Sequence, residues 1–144
     1  MTRFIHRARH LPVWALAAVL AVSTAKAVAE DEVACNPQGT QMEMNVCVSQ
    51  DLKKADAELN AVYARVLEMH RDDAAKVKQL QAAQRLWIKL RDADLNAMFP
   101  LAAGENPRVK YGSMYSLQYD TARARMTDER ARWLKAEFLE NQED

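Results

Sequence analysis

The sequence predicts an all-α fold: a small three-helix domain, an antiparallel helical hairpin with a third helix packed on it, closed by one disulfide. Three observations carry this. Thr40 to Phe99 runs for sixty residues without Gly or Pro and is rich in Ala, Leu, Lys, Glu, Gln and Met, a strong helix signal. Apolar residues within it recur at alternating spacings of four and three, one stripe along a helix face. The 144-residue chain has just 3 Gly and 4 Pro, too few for an all-β chain full of turns or for a disordered one, and its length fits one small domain.

In chain order, the first element is an address. Arg3, Arg7 and Arg9 precede an apolar run from Leu11 to Val22, and small residues then supply Ala25-Lys26-Ala27 and Ala27-Val28-Ala29. A cationic end, a short apolar core and a small-residue cleavage site are the order of a secretory signal peptide. Residues 1–29 are therefore expected to be removed, after Ala27 or Ala29, leaving residues 30–144 as the domain. A membrane span needs about 20 apolar residues, and this run is shorter and contains Pro12. A lipid-bearing cysteine would abut the apolar core, whereas Glu30, Asp31 and Glu32 separate Cys35 from it.

Helix 1 opens at Thr40-Gln41-Met42-Glu43, a capping-box pattern, and its stripe is Val48, Leu52, Ala55, Leu59, Val62, Val66 and Met69. A single sixty-residue helix would be about 90 Å long, so a break is expected at Arg71-Asp72-Asp73, where an aspartate can cap a new helix. Helix 2 repeats the pattern with Val77, Leu80, Ala83, Trp87, Leu90 and Met98. Leu101 to Tyr111 is expected to be a loop, given Gly104 and Asn106-Pro107. Helix 3 follows from about Ser113, with Leu117, Met126, Trp133, Leu134 and Phe138 available for burial and the tail from Glu140 fraying.

The chemistry is narrow. Cys35 and Cys47 are the two cysteines, and an even pair in an oxidising compartment forms a disulfide. His6 and His10 leave with the signal, so His70 alone serves the domain, too little for a histidine-rich metal site or most nucleophilic systems. At the end of helix 1 it complements the helix dipole instead. Asp92 and Asp94 are the acids of ambiguous role; a glycosidase needs two carboxylates across a sugar-sized cleft. No glycine-rich phosphate loop can form. No catalytic residue, cofactor or metal is expected.

Net charge is zero over the whole chain, but residues 1–29 hold four cations and no acid, so residues 30–144 carry 16 basic and 20 acidic groups, a net of −4. With basic residues interleaved among acids, nucleic-acid binding is disfavoured.

The residues assembled so far resemble a known family. They are Cys35; Thr40-Gln-Met-Glu43-Met-Asn-Val-Cys47; Leu52 to Asn60 with Tyr63; Gln84-Arg85-Leu-Trp87-Ile-Lys-Leu-Arg91-Asp92-Ala-Asp94; Gly112-Ser-Met114; and Thr127-Asp-Glu-Arg130 with Leu134. In order and spacing this resembles the LprI-type lysozyme-inhibitor domain of bacterial envelope proteins, over about 35 to 134. The resemblance implies a secreted or periplasmic, disulfide-bonded helical domain that binds lysozyme. Members commonly carry a second cysteine pair; here Leu95 and Ala122 stand in those places, so an apolar contact between helices 2 and 3 is expected instead. Gln84, Arg85, Trp87, Arg91, Asp92, Thr127 and Arg130 are expected to serve the scaffold, Arg91 and Arg130 each bridging helices through a carboxylate or a carbonyl, with Asp92 or Asp56 as candidate carboxylates.

A −4 domain would be steered towards basic lysozymes. The expected wedge is the segment from Gly104 to Tyr111, with Arg108 and Lys110 supplying cations and Tyr111 aromatic area. The alternative is an envelope adaptor or stress protein docking a bacterial partner through an apolar patch around Met42, Met44, Val46, Met114 and Tyr115.

Overall fold

The computed structural model describes residues 33–141. The expected signal peptide, 1–29, lies outside the described residues. Four α-helices follow one another: α1 (Gln41–Met69), α2 (Ala74–Met98), α3 (Pro107–Tyr111) and α4 (Tyr115–Lys135), and a π-helical turn, Ala136–Glu140, extends α4. The three long helices, the absence of strands among the described residues and the Cys35–Cys47 bond are as the sequence predicts.

The start of α1 is built as its sequence dictates. The Thr40 N–H and hydroxyl donate to the Glu43 carboxylate at 2.6 and 2.8 Å, and the Glu43 N–H donates back to Thr40 Oγ1 at 3.4 Å. These bonds, the backbone one foremost, hold the Glu43 carboxyl below its ordinary pKa of 4.5. A carboxyl depressed in the folded state contributes stability above its unfolded pKa and loses it as pH falls through the folded value. Stability should therefore fall on acidification below about pH 4.5, and Thr40→Ala should reduce that fall. Thermal melts of both proteins across pH 2–7 check this; identical slopes would count against it.

α1 ends at His70, the turn 70–73 follows, and the Asp73 carboxylate caps α2 by accepting from the Lys76 N–H at 2.9 Å. Helix directions follow from cross-contacts. Gln41 meets Ser113, Arg123 lies 3.8 Å from Asp56, and the His70 ring stands edge-on to Phe138 at 6.3 Å, so α1 and α4 run the same way. Gln84 meets Arg130 and Arg91 meets Thr127, so α2 runs against α4 and hence against α1. The order is up, down, up.

The most extensive close packing is between α1 and α4. Small buried residues, Ala55 on α1 and Ala122, Ala124 and Ala131 on α4, allow that approach. The core gathers Leu59, Val62, Val66, Leu80, Ala131 and Leu134, with Tyr63, Trp87 and Phe138 packed against it. Leu95 is fully buried and Ala122 nearly so.

Five details differ from expectation, the first being that Met69, the last residue of the expected α1 stripe, is 51% exposed. On α2 the inward face is Leu80, Gln84 and Leu95, with Trp87 and Arg91 half-buried, while Ala83, Leu90 and Met98 are exposed; polar groups bonded to α4 displaced part of the apolar stripe. Trp133 is 47% exposed, because the inward positions of α4 go to Ala131 and Leu134. The 101–111 segment contains α3, started by Asn106 and Pro107, the residues that had argued for a loop. Glu140 closes the π-turn and pairs with Lys135 at 3.1 Å rather than fraying; the rest of the expected frayed tail, 142–144, lies outside the described residues.

Candidate protein-docking site

The approach to α3 is braced from within. The Asn106 side chain accepts from the Arg108 N–H at 2.9 Å, Pro107 supplies a preset φ at the first turn, and Gly112 ends the helix at φ +72°, where a side chain would be strained. Glu105 accepts from Lys110 Nζ at 2.8 Å and from the Ala102 N–H at 2.9 Å. The bond to Lys110, above all, holds the Glu105 carboxyl below its usual range, and the same bond raises the Lys110 ammonium.

Tyr111 donates its hydroxyl to the Pro100 carbonyl at 2.7 Å and stacks on Tyr115, with centroids 5.7 Å apart and planes at 18°. Phe99 meets Tyr111, Tyr115 and Tyr119 at 5.7–5.9 Å. Four aromatic rings thus tie the end of α2, α3 and the start of α4 together. The sequence signal was the spacing of tyrosines at 111, 115 and 119, one helical turn apart each time.

Of the three expected contact residues, Lys110 and Tyr111 are therefore engaged in holding α3. Arg108 is exposed, its guanidinium forming no ion pair among the described residues. Beside it Val109 is 83% exposed, the most exposed large apolar side chain among the described residues and one that sequence reasoning missed. Arg108 also lines a recess with Gln41, Met42, Asn45, Ser113 and Ser116. The amide of Gln41 donates to the Ser113 carbonyl, which ties α1 to the α3–α4 junction, and the Asn45 Oδ1 is buried without a partner. Met42 is 63% exposed at the rim and Met114 adjoins Ser113; Met44, Val46 and Tyr115 are half-buried.

The signature residues assemble elsewhere, between α2 and α4. Arg130 Nε donates to Gln84 Oε1 at 3.1 Å, and its guanidinium lies over Trp133 at 4.6 Å and Trp87 at 5.7 Å. Burial lowers the Arg130 pKa. Arg91 lies over Trp87 at 5.2 Å, donates to the fully buried Thr127 hydroxyl at 3.4 Å and pairs with Asp92 at 2.9 Å. Asp92 pairs with Arg91 along α2 and does not bridge helices, Asp56 lies by Arg123, and Arg130 reaches across to α2 through the carbonyl oxygen of the Gln84 amide. Arg85 is exposed and makes no hydrogen bond or ion pair within this network.

Asp94 and Glu129 line one open groove beside Trp87 and Trp133, and Glu129 is paired with Arg125 at 2.9 Å. No histidine or cysteine joins them. Among the described residues no group of three or more His, Cys, Asp or Glu could hold a metal ion, and no helix is long and apolar enough to cross a membrane.

Comparison with known proteins agrees with this architecture. The uncharacterized protein R02472 of Rhizobium meliloti (strain 1021) is 33% identical over 141 residues, covering 90% of this chain and 96% of the relative. The crystal structure of a DUF1311 family protein from Pseudomonas putida KT2440 superposes with a TM-score of 0.55 at 25% identity, covering 70% of this chain and 95% of the other. The family model described as "Lysozyme inhibitor LprI" matches residues 33–134. With five of its seven signature side chains joining α2 to α4 and its cysteines paired, the chain belongs to the LprI lysozyme inhibitor family.

Proposed function

We propose that this protein is exported after loss of residues 1–29, binds a lysozyme and blocks peptidoglycan hydrolysis, docking through the bundle end formed by α3 and the start of α1. The observation that carries the docking site is Val109, 83% exposed in the middle of a short helix braced by Glu105–Lys110 and the tyrosine stack. A rigid apolar surface loses little entropy on insertion into a cleft. Arg108 adds a free cation for the acidic residues of such a cleft, Lys110 and Tyr111 support it from behind, and the −4 charge of residues 30–144 favours encounter with a basic enzyme.

The test is a lysozyme activity assay with the purified protein. Wild type should inhibit at micromolar concentration, more weakly as salt rises. Arg108→Glu with Val109→Asp should weaken inhibition by about tenfold or more, with helix content unchanged because both positions are exposed. Undiminished inhibition by that variant would move the site elsewhere. No inhibition by wild type would leave the adaptor role, with Met42, Met114 and Val109 as its apolar surface.

A further inference from the structure

α2 carries a second apolar stripe that the chain leaves uncovered. Ala83, Leu86, Leu90, Ala93 and Ala97 follow one another at spacings of three, four, three and four, and all five are exposed, Leu86 at 66% and Leu90 at 59%. That is the seam of a helix pair, with these residues at the first and fourth positions of successive heptads. α2 is also the long helix the fold holds least. Over 25 residues it buries three side chains, Leu80, Gln84 and Leu95, where α1 and α4 each bury five.

We propose that this stripe pairs with the same stripe of a second copy of the chain, the two α2 helices lying parallel about a two-fold axis. The occupant is identified by the charges beside the seam. Lys89 lies on one flank and Asp94 on the other, and neither makes an ion pair or side-chain hydrogen bond among the described residues. In a parallel pair the residue on one flank faces the opposite flank of its partner helix, five positions on. Lys89 then meets Asp94 of the second copy, and the symmetry makes the pair twice. The same relation sets Ala82 against Trp87 of the second copy, a small residue against a large one. An antiparallel pair would set lysine near lysine. The three alanines let the helices approach closely, and Trp133, beside Leu90 in the shared groove, becomes covered.

Two leucines and three alanines per copy make a seam smaller than the roughly 800 Å² per partner of a stable interface. The dimer is therefore concentration-dependent. The stripe shares no residue with the α3 end, so pairing leaves the proposed lysozyme contact free.

Sedimentation velocity on the purified protein between about 5 and 500 µM should show a monomer–dimer equilibrium in this range. Leu90→Glu should abolish it while helix content and lysozyme inhibition stay unchanged. Asp94→Lys should weaken it, and adding Lys89→Asp to that variant should restore it. Ala93→Cys should oxidise to a covalent dimer, because a seam position faces its own symmetry mate in a parallel pair and both native cysteines are already bonded. A monomer at every concentration overturns the proposal, as does an Ala93→Cys variant that fails to cross-link, or pairing that survives Leu90→Glu.

Discussion

Leu134→Ala is expected to lower the unfolding free energy by about 2–5 kcal/mol, whereas the same change at Leu90 moves the monomer's stability by no more than about 0.5 kcal/mol. Both are leucines on amphipathic helices, and composition does not separate them. Leu134 is 1% exposed and sits in the cluster of Leu59, Val62, Val66, Leu80 and Ala131, where three helices meet. Truncation there leaves a cavity bounded by all three, and α1 and α4 cannot collapse into it because their alanines already bring them close. Leu90 is 59% exposed, so truncation removes surface that the fold had not taken from water. Small domains are stable by about 5–15 kcal/mol in total, so the first variant should melt far below wild type. Urea unfolding followed by far-UV circular dichroism at dilute protein concentration measures both. A loss below about 1 kcal/mol at Leu134 would mean that the three-helix junction is not where stability concentrates.

The contrast also marks how far the sequence could be read. Helix existence, the break before Asp73, the capping box at Thr40 and the cysteine pair follow from local chemistry, and the structure has all of them. The inward face of α2 was not legible, because the helix carries two candidate stripes. One runs through Leu80 and Trp87, the other through Ala83, Leu86 and Leu90, and periodicity alone cannot rank them. The choice is made by partners on α4, 46 and 36 residues away: Arg130 needs the Gln84 amide and Thr127 needs Arg91. Gln84 and Arg91 therefore turn inward beside Leu80 and Leu95, and Leu86 and Leu90 turn outward. The candidate site failed to read fully for a related reason. Arg108, Lys110 and Tyr111 look equivalent in a segment read as a loop, yet one helical turn sends Lys110 to Glu105 and Tyr111 to Pro100, and leaves Val109 exposed on the outer face. Asn106-Pro107 held the missing signal, since a cap followed by proline starts a helix as readily as it ends one.

Breaking the Cys35–Cys47 bond is expected to cost about 3 kcal/mol, close to a core truncation, though the bond ties down an arm of few buried residues. The crosslink joins positions twelve apart and holds their Cα atoms 4.7 Å from each other, with Cys47 buried on α1. What it restrains is the arm from Cys35 to Thr40. There Asn36 accepts from the Gln38 N–H at 3.1 Å, and Gly39 packs so closely on the Glu43 carboxylate and Asn36 that a β-carbon would collide with both. The arm thus presents Thr40 to Glu43, and the cap it forms adjoins Gln41, whose amide anchors the α3–α4 junction through Ser113. Reduction should lower the melting temperature by roughly 12–24 °C, given about 4–8 °C per kcal/mol in a domain of this size. It should also fray the first turns of α1 and weaken the acid dependence that Glu43 confers. Cys35→Ser with Cys47→Ser should reproduce the melting shift without reductant. Because the frayed turn borders the recess holding Arg108 and Met42, lysozyme inhibition by the double variant should fall at temperatures where most helix content survives. Inhibition that persists until the whole domain melts would place the lysozyme contact away from this end of the bundle.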